Sequence, residues 1–316
     1  MASLREIKDR IGSVRSTLKI TSAMKLVASA KLRKAQKAIE GMRPYEQTLA
    51  EILATVGSAA TSRADGNYFS ASRAEKPISA PPSATPTHAA GAPHGKVAIV
   101  AIASNSSLCG GFNANIIRKA LEAIRGCEGE VEVYPIGRKM AEAMRRAGYT
   151  ADRDYNDLIG HPAYDKSAAL ARSLAERYET GELSRVLLVY NRFVSTSTQT
   201  PTVEDYLPFN GIPGQAGFDP SRHSRIDRET PADGEYLLEP DAAALVAQLL
   251  PQVMILKFHA AILDSAAAEQ AARTIAMQTA TDNAEDLLGE LTLEYNKGRQ
   301  QKITAEILDL LGGAAQ

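Results

Sequence analysis

Stepping alternately by three and four through the first 56 residues, sixteen positions keep one phase: Leu4, Ile7, Ile11, Val14, Leu18, Thr21, Lys25, Ala28, Leu32, Ala35, Ile39, Met42, Glu46, Leu49, Leu53 and Val56. Thirteen are apolar; Thr21, Lys25 and Glu46 are the exceptions. This period predicts a long helix with one narrow seam, and a seam asks for a partner helix. Ser3 with Glu6 three residues on makes a capping box at its start. Pro44 interrupts the backbone donors, but Leu49, Leu53 and Val56 hold the phase beyond it, so a kink is expected rather than a stop. Such a helix reaches roughly 80 Å. The same stepping resumes at Val246 and runs through Leu249, Val253, Leu256, Ala260, Leu263, Ala267, Gln270, Thr274, Met277, Thr281, Ala284, Leu288, Leu291 and Tyr295, then on to Ile303, Ile307 and Leu310. Pro240 suits the first position of this second helix, and Pro251 falls in its early turns. It would span roughly 100 Å.

Between the two helices the pattern changes twice. The stretch "KPISAPPSATPTHAAGAPHG" is rich in Pro, Ala and Ser and has nothing to bury, so it reads as a loosely extended insert. Then "KVAIVAIAS" (96–104), "EVEVYPIG" (130–137) and "RVLLVYNRF" read as strands, with helical stretches after the first, over 138–148, and over 165–178. "STSTQTPTVEDYLP" suits an edge strand or hairpin arm. Strands alternating with helices predict a doubly wound, Rossmann-like α/β domain with a parallel core. The predicted fold is α/β overall. Residues 1–58 and 239–316 form a long antiparallel coiled coil, 59–95 the insert, and 96–238 the inserted domain.

Charge supports the pairing of the two ends. Residues 1–43 carry eleven Lys/Arg against three Asp/Glu, while 241–316 carry five against ten. Trp is absent, and the chain has two cysteines, Cys109 and Cys127, at a spacing that fits neither a disulfide framework nor a metal site. No stretch approaches the ~20 apolar residues of a membrane span, and the basic N-terminus has no signal-peptide core. The turn "SSLCGGFN" leads from strand to helix, where backbone N–H groups can hold phosphate. It lacks a GxGxxG or a GxxxxGK[ST], and no acidic residue ends the second strand, so a tight structural turn is the stronger reading. Ser104, Ser106 and Ser107 have no histidine near in sequence, and Asp152, Asp154 and Asp157 read as solvated loop charges. The basic helix could meet nucleic acid phosphates through residues such as Lys8, Arg15, Lys31, Arg33 and Lys34. It has no interleaved aromatic before Tyr45, and its seam already commits it to protein, so an acidic protein surface is favoured over nucleic acid.

Particular segments go further than periodicity. "IKDRIGSVRSTLKITSAMKLVASAKLRKAQ", "RPYE", "LCGGFN" and "EQAARTIAMQTATDNAEDLLGELTLEYNKGRQQKITAEILDLLGGA" closely resemble the gamma chain of F-type ATP synthases, in the family's order and across both ends of the chain. The resemblance implies a central-stalk rotor that catalyses nothing and needs no cofactor or metal. It also implies partners: the alpha and beta subunits of the catalytic hexamer, the epsilon subunit and the c-subunit ring. It implies no nucleic acid and no direct membrane insertion. The chain would lie peripherally on the cytoplasmic face of a bacterial inner membrane. Carried over by position, Met24, Lys25, Arg33, Arg273, Arg299, Gln300 and Thr304 are expected to meet the hexamer. Cys109, Gly110, Gly111 and Tyr236 are expected to meet epsilon or the c ring. Near Met24 the resemblance suggests that the first helix turns outward from its partner, which would account for Thr21 and Lys25 in the seam. The chain departs from the family at Asn105, Ser106 and Ser107, where a charged pair is usual, at Gly298, where alanine is common, and in the Pro/Ala insert.

Overall fold

The computed structural model describes residues 3–61, 95–149, 153, 155–209 and 242–313. Two helices dominate it, α1 (Leu4–Thr61) and α6 (Ala242–Gly313). At ~1.5 Å per residue they measure about 87 and 108 Å. The capping box forms: Ser3 N donates to Glu6 Oε2 at 2.9 Å, and Glu6 N donates to Ser3 Oγ at 3.2 Å. The helix continues through Pro44. All sixteen phased positions of α1 are buried or half-buried, so the seam is real along its full length.

The helices run antiparallel. Thr21 meets Thr281, with the two Oγ1 atoms 3.0 Å apart. Arg43 meets Asp264 at 3.3 Å, and Leu4 lies against Gly298. At Thr21 the seam stays closed: both threonines are buried. The expected outward turn of α1 is therefore corrected. A hydroxyl pair bridges the helices there, so a polar seam residue need not mean that the seam opens. Each threonine also bonds a carbonyl of its own helix, Leu18 or Met277, which satisfies groups that burial would otherwise leave costly.

The α/β domain carries a sheet in the order β2-β1-β3-β4, formed by β1 (Lys96–Ile102), β2 (Val131–Ile136), β3 (Leu183–Phe193) and β4 (Gln199–Leu207). The first three are parallel; β4 pairs antiparallel with β3 at the edge. That placement tolerates Pro201, which has no N–H to give to a further strand. Both faces of the sheet are covered, which is why β1 is a nearly continuous apolar run. On one face, α2 (Phe112–Arg125) and α3 (Arg138–Arg146) bring Ile116, Ala120, Ile124, Met140 and Met144 against Ile99, Ala101, Leu187 and Val189. Gly137 joins β2 to α3 at φ 95°, close under the Ala103 carbonyl, so a side chain there would be strained and would collide. On the other face, α5 (Tyr164–Glu179), the middle of α6 and the end of α1 cover Val100, Ile102, Leu188 and Tyr190 with Leu174, Phe258, Ile262 and Leu53. The one-turn helix α4 (Asp157–Gly160) was not legible in the sequence.

One expectation about α6 needs correction. The helix does hold a stretch long and apolar enough to cross a membrane by length and composition alone. The physical reason lies in the fold: Met254, Phe258, Ala261, Ile262, Ala267 and Ala268 are buried against the sheet, α1 and the turn after β1, so this is a core helix. The insert over 62–94, together with Pro240, Tyr236, Asp152 and Asp154, lies outside the described residues.

Candidate functional site

Around Met24 the polarity of α1 inverts. The seam positions Thr21 and Lys25 are polar, while Ile20, Leu26 and Val27, off the seam, are apolar and exposed; Leu26 is 70 % exposed. Met24 and Lys25 are half-buried beside them, and Arg33 is exposed further along. These exposed apolar side chains contribute nothing to the seam between α1 and α6. The family resemblance gave Met24 and Lys25; heptad counting kept only Lys25 and passed over Ile20, Leu26 and Val27. The signal was present, because apolar residues replace polar ones off the phase while polar ones enter it.

A second surface lies at the far end of α6. Thr281 pairs with Thr21 and Gly298 lies against Leu4, so α1 ends there and α6 runs on alone. Arg299, Gln300 and Thr304 are exposed on this overhang, and so are Ile303, Ile307 and Leu308. The heptad phase continues through Ile303 and Ile307, but among the described residues no second helix covers them. Arg299 is 18 residues beyond Thr281, roughly 27 Å along the axis. Six of the seven predicted hexamer-facing residues thus form two groups along one rod; the seventh, Arg273, is buried.

The turn after β1 is the third feature. Leu108 is exposed in the left-handed region at φ 66°, followed by Gly110 at φ 57°. For a leucine that conformation is an outlier of the kind that persists where surrounding bonds over-determine it. Those bonds are present: Ser104 Oγ reaches Ser106 O at 2.5 Å and Asn113 Oδ1 at 2.9 Å, and Asn113 Nδ2 lies 3.2 Å from Cys109 Sγ. Cys109 is buried inside the turn, and Gly110 and Gly111 are exposed on it. Arg273 is only 8 % exposed; it bonds Glu269 at 2.8 Å and reaches Ser106 Oγ at 2.8 Å, so it ties α6 to this turn. Burial pushes the Glu269 carboxyl up, against the pull of Arg273. Gly110 faces Ala276, and the Thr21–Thr281 pairing sets Met24 near residue 278. The turn and the α1 patch, 84 residues apart from Met24 to Leu108, therefore sit at one level of the rod.

Where rod and domain join, charges are enclosed. Lys257 Nζ meets Glu204 Oε1 at 2.8 Å, the Tyr190 hydroxyl donates to Glu204 at 3.0 Å, and Arg43 bridges Asp264. Burial pushes the Glu46 and Asp264 carboxyls up. Burial opposes ionisation of Glu204 as well, but Lys257 and the Tyr190 hydroxyl outweigh it and hold that carboxyl below its ordinary value.

Known proteins share this architecture and much of the sequence. The family model described as ATP synthase matches residues 3–316. The ATP synthase gamma chain of Phocaeicola vulgatus is 44% identical over 319 residues, covering 99% of each chain. That of Bacteroides fragilis is 43% identical over 318 residues, again covering 99% of each.

The chain belongs to the ATP synthase gamma chain family.

A solved Euglena gracilis mitochondrial ATP synthase, with OSCP, F1 and c-ring, contains a chain of the same fold, with a TM-score of 0.61 at 19% identity, covering 99% of this gamma chain and 93% of that one. The rod with its inserted sheet is thus a fold shared with a chain of that complex. Among the described residues no cluster of His, Cys, Asp and Glu could hold a metal ion.

Proposed function

We propose that this gamma chain is the central-stalk rotor of a proton-translocating F-type ATP synthase, coupling ring rotation to conformational change at the beta catalytic sites while catalysing nothing itself. One observation carries the reading. A rod of two helices of unequal length projects from a compact domain, and it exposes apolar residues on the outer face of α1 and along the unpaired end of α6. Two surfaces are proposed to face the alpha and beta subunits. Met24, Lys25 and Arg33 lie on the first, and Arg299, Gln300 and Thr304 on the second. Arg273 serves the first from behind, by holding the turn. Gly110 and Gly111, supported by buried Cys109, are proposed to meet epsilon or the c ring, and Tyr236 with them. The complex would sit peripherally on the cytoplasmic face of a bacterial inner membrane, with no nucleic acid and no insertion of this chain into lipid. Exposed ion pairs are worth only ~0–1 kcal/mol, so basic residues along the rod can make and break contacts as it turns.

Reconstitution of alpha, beta and this chain should give an ATPase that rotates a probe attached to the domain. An active hexamer that cannot retain the chain would overturn the reading. Met24→Lys places a second charge beside Lys25. The expected outcome is weaker coupling with hydrolysis retained, checked as protons pumped per ATP in membrane vesicles. An unchanged ratio would remove Met24 from the contact surface.

A further inference from the structure

Two glycines near the tip of the rod serve no packing need of the chain itself. Gly12 in α1 and Gly289 in α6 are both exposed, inside continuous helix, and a Cβ at either would meet nothing within 4 Å. Gly298 is different: it lies under Leu4, whose Cδ2 would stand 3.0 Å from an added Cβ. In a helix interior glycine is the costliest residue after proline, because its free backbone loses most on ordering.

The two glycines share one level of the rod. Gly12 is nine residues before Thr21, and Glu290 is nine after Thr281, the partner of Thr21 in this antiparallel pair. Gly12 is therefore level with Glu290, and Gly289 is within ~1.5 Å of that level along the axis. The seam thins there. Ile11, Val14 and Leu18 are half-buried, whereas Ile7 on one side and Thr21 and Ala28 on the other are buried. Leu288 is half-buried between buried Ala284 and Leu291.

Side-chain hydroxyls also tap the backbone at this level. Ser16 Oγ donates to Gly12 O at 3.0 Å, and Thr17 Oγ1 donates to Ser13 O at 3.2 Å. In α6, Thr292 Oγ1 donates to Leu288 O at 2.7 Å, at the peptide that joins Leu288 to Gly289. Such back-bonding competes with the helix's own N–H donors and bends helices, and Gly/Ser pairs such as Gly12–Ser13 are usual sites of kinks. Thr274, Thr279, Thr281 and Thr304 bond back in the same way, but those turns hold no glycine. Gly41 is open too, but it lies beside Arg43, whose partner Asp264 belongs to the part of α6 that packs on the domain and holds no glycine.

We propose that the level of Gly12 and Gly289 is a hinge, at which the paired rod bends between its tip and the Met24 surface. Gly289 is ten residues short of Arg299 and eleven beyond residue 278, the level of Met24, so roughly 15 Å of rod lies on either side of it. A rod rigid throughout would have to seat both surfaces at once at every angle of a turn. A bend between them lets the tip keep its seat while the Met24 surface sweeps round. That use of the hinge rests on the rotor reading; the hinge itself is a property of the chain alone.

The first test therefore needs no partner. Spin labels carried by non-natural amino acids at Thr279 and Lys297, both exposed, bracket Gly289 in the full chain. Their distance distribution should be broad, should narrow in Gly12→Ala with Gly289→Ala, and should keep its width in Gly41→Ala. Equal widths in the parent and the double alanine variant would overturn the hinge and leave the rotor reading standing. In the complex reconstituted with alpha and beta, the alanine pair should slow rotation of the attached probe, and Gly41→Ala should not. Glutamine is larger than alanine but forms helix nearly as well, so glutamine at both positions should slow rotation no further. A greater loss with glutamine would mean that the glycines make room for a neighbouring subunit, and would overturn the hinge. So would a rotation rate untouched by alanine. In each case the chain still turns in the hexamer, whereas failure of the rotor reading shows as a chain that is not retained.

Discussion

Thr21 and Thr281 show how a single pair can set the register of a rod. In a seam of interchangeable apolar side chains, sliding by one heptad costs little, whereas a slide here breaks the contact between the two hydroxyls and sets Thr281 against an apolar side chain. Replacing either threonine with valine should cost about 0.5–1.5 kcal/mol. The double replacement should recover much of that loss, as a double-mutant cycle by urea unfolding will show. Glu46 behaves differently. Its folded pKa is raised by burial above the ordinary value of 4.5, so the folded state favours the protonated form. Its contribution is therefore most favourable at low pH and is lost as pH rises from about 4.5 through the folded pKa. Glu46→Gln should raise stability at pH 7 and flatten the slope of urea midpoint against pH across that window. A loss of stability at pH 7 would mean that attraction to Lys257 outweighs burial. The sequence marked Thr21 and Glu46 only as polar exceptions in the phase. What makes one a bridge and the other a strained charge depends on residues some 200 or more positions away, Lys257 and Thr281, and no local pattern carries that.

At the scale of elements, periodicity carried most of the fold. A 3.5-residue phase held over sixteen positions is hard to satisfy by accident, and every one of those positions is at least half-buried. The alternation of strand and helix likewise gave three parallel strands and an antiparallel edge. The helix α4 escaped because four residues are too few to show a period. The apolar patch on α1 escaped for another reason: a search for the seam discards what lies off it. Because Leu26 and Val27 are 70 % and 57 % exposed, Leu26→Ser with Val27→Ser should change the stability of the isolated chain by less than about 0.5 kcal/mol per site. Retention on the alpha–beta hexamer should fall by tenfold or more if the patch holds a partner. Thermal unfolding and co-purification, measured on the same preparations, separate the two effects. The domain turn was legible as a strand-to-helix junction, but its alignment with this patch came only from the pairing of α1 with α6.

For the molecule as a whole, the rod divides into a paired length and a single-stranded tip. From Arg299 to Leu308 every residue of α6 is exposed. Ending the chain after Gly298 should therefore leave its melting temperature nearly unchanged, and urea unfolding should show a difference under about 0.5 kcal/mol. In the assembled complex the same truncation should lower the torque measured on a rotating probe, because it removes Ile303, Ile307 and Leu308 from the surface proposed to meet the hexamer. The other end of the rod bears the converse load. The middle of α6 is buried against the sheet through Phe258, Ile262 and their neighbours, so twist passes from domain to rod as shear across a packed interface. Such a joint resists in proportion to how tightly it is packed. Trimming one buried methyl group there would leave every connection in the chain intact and still let the rod lag behind the domain, so that part of each turn is lost as slip.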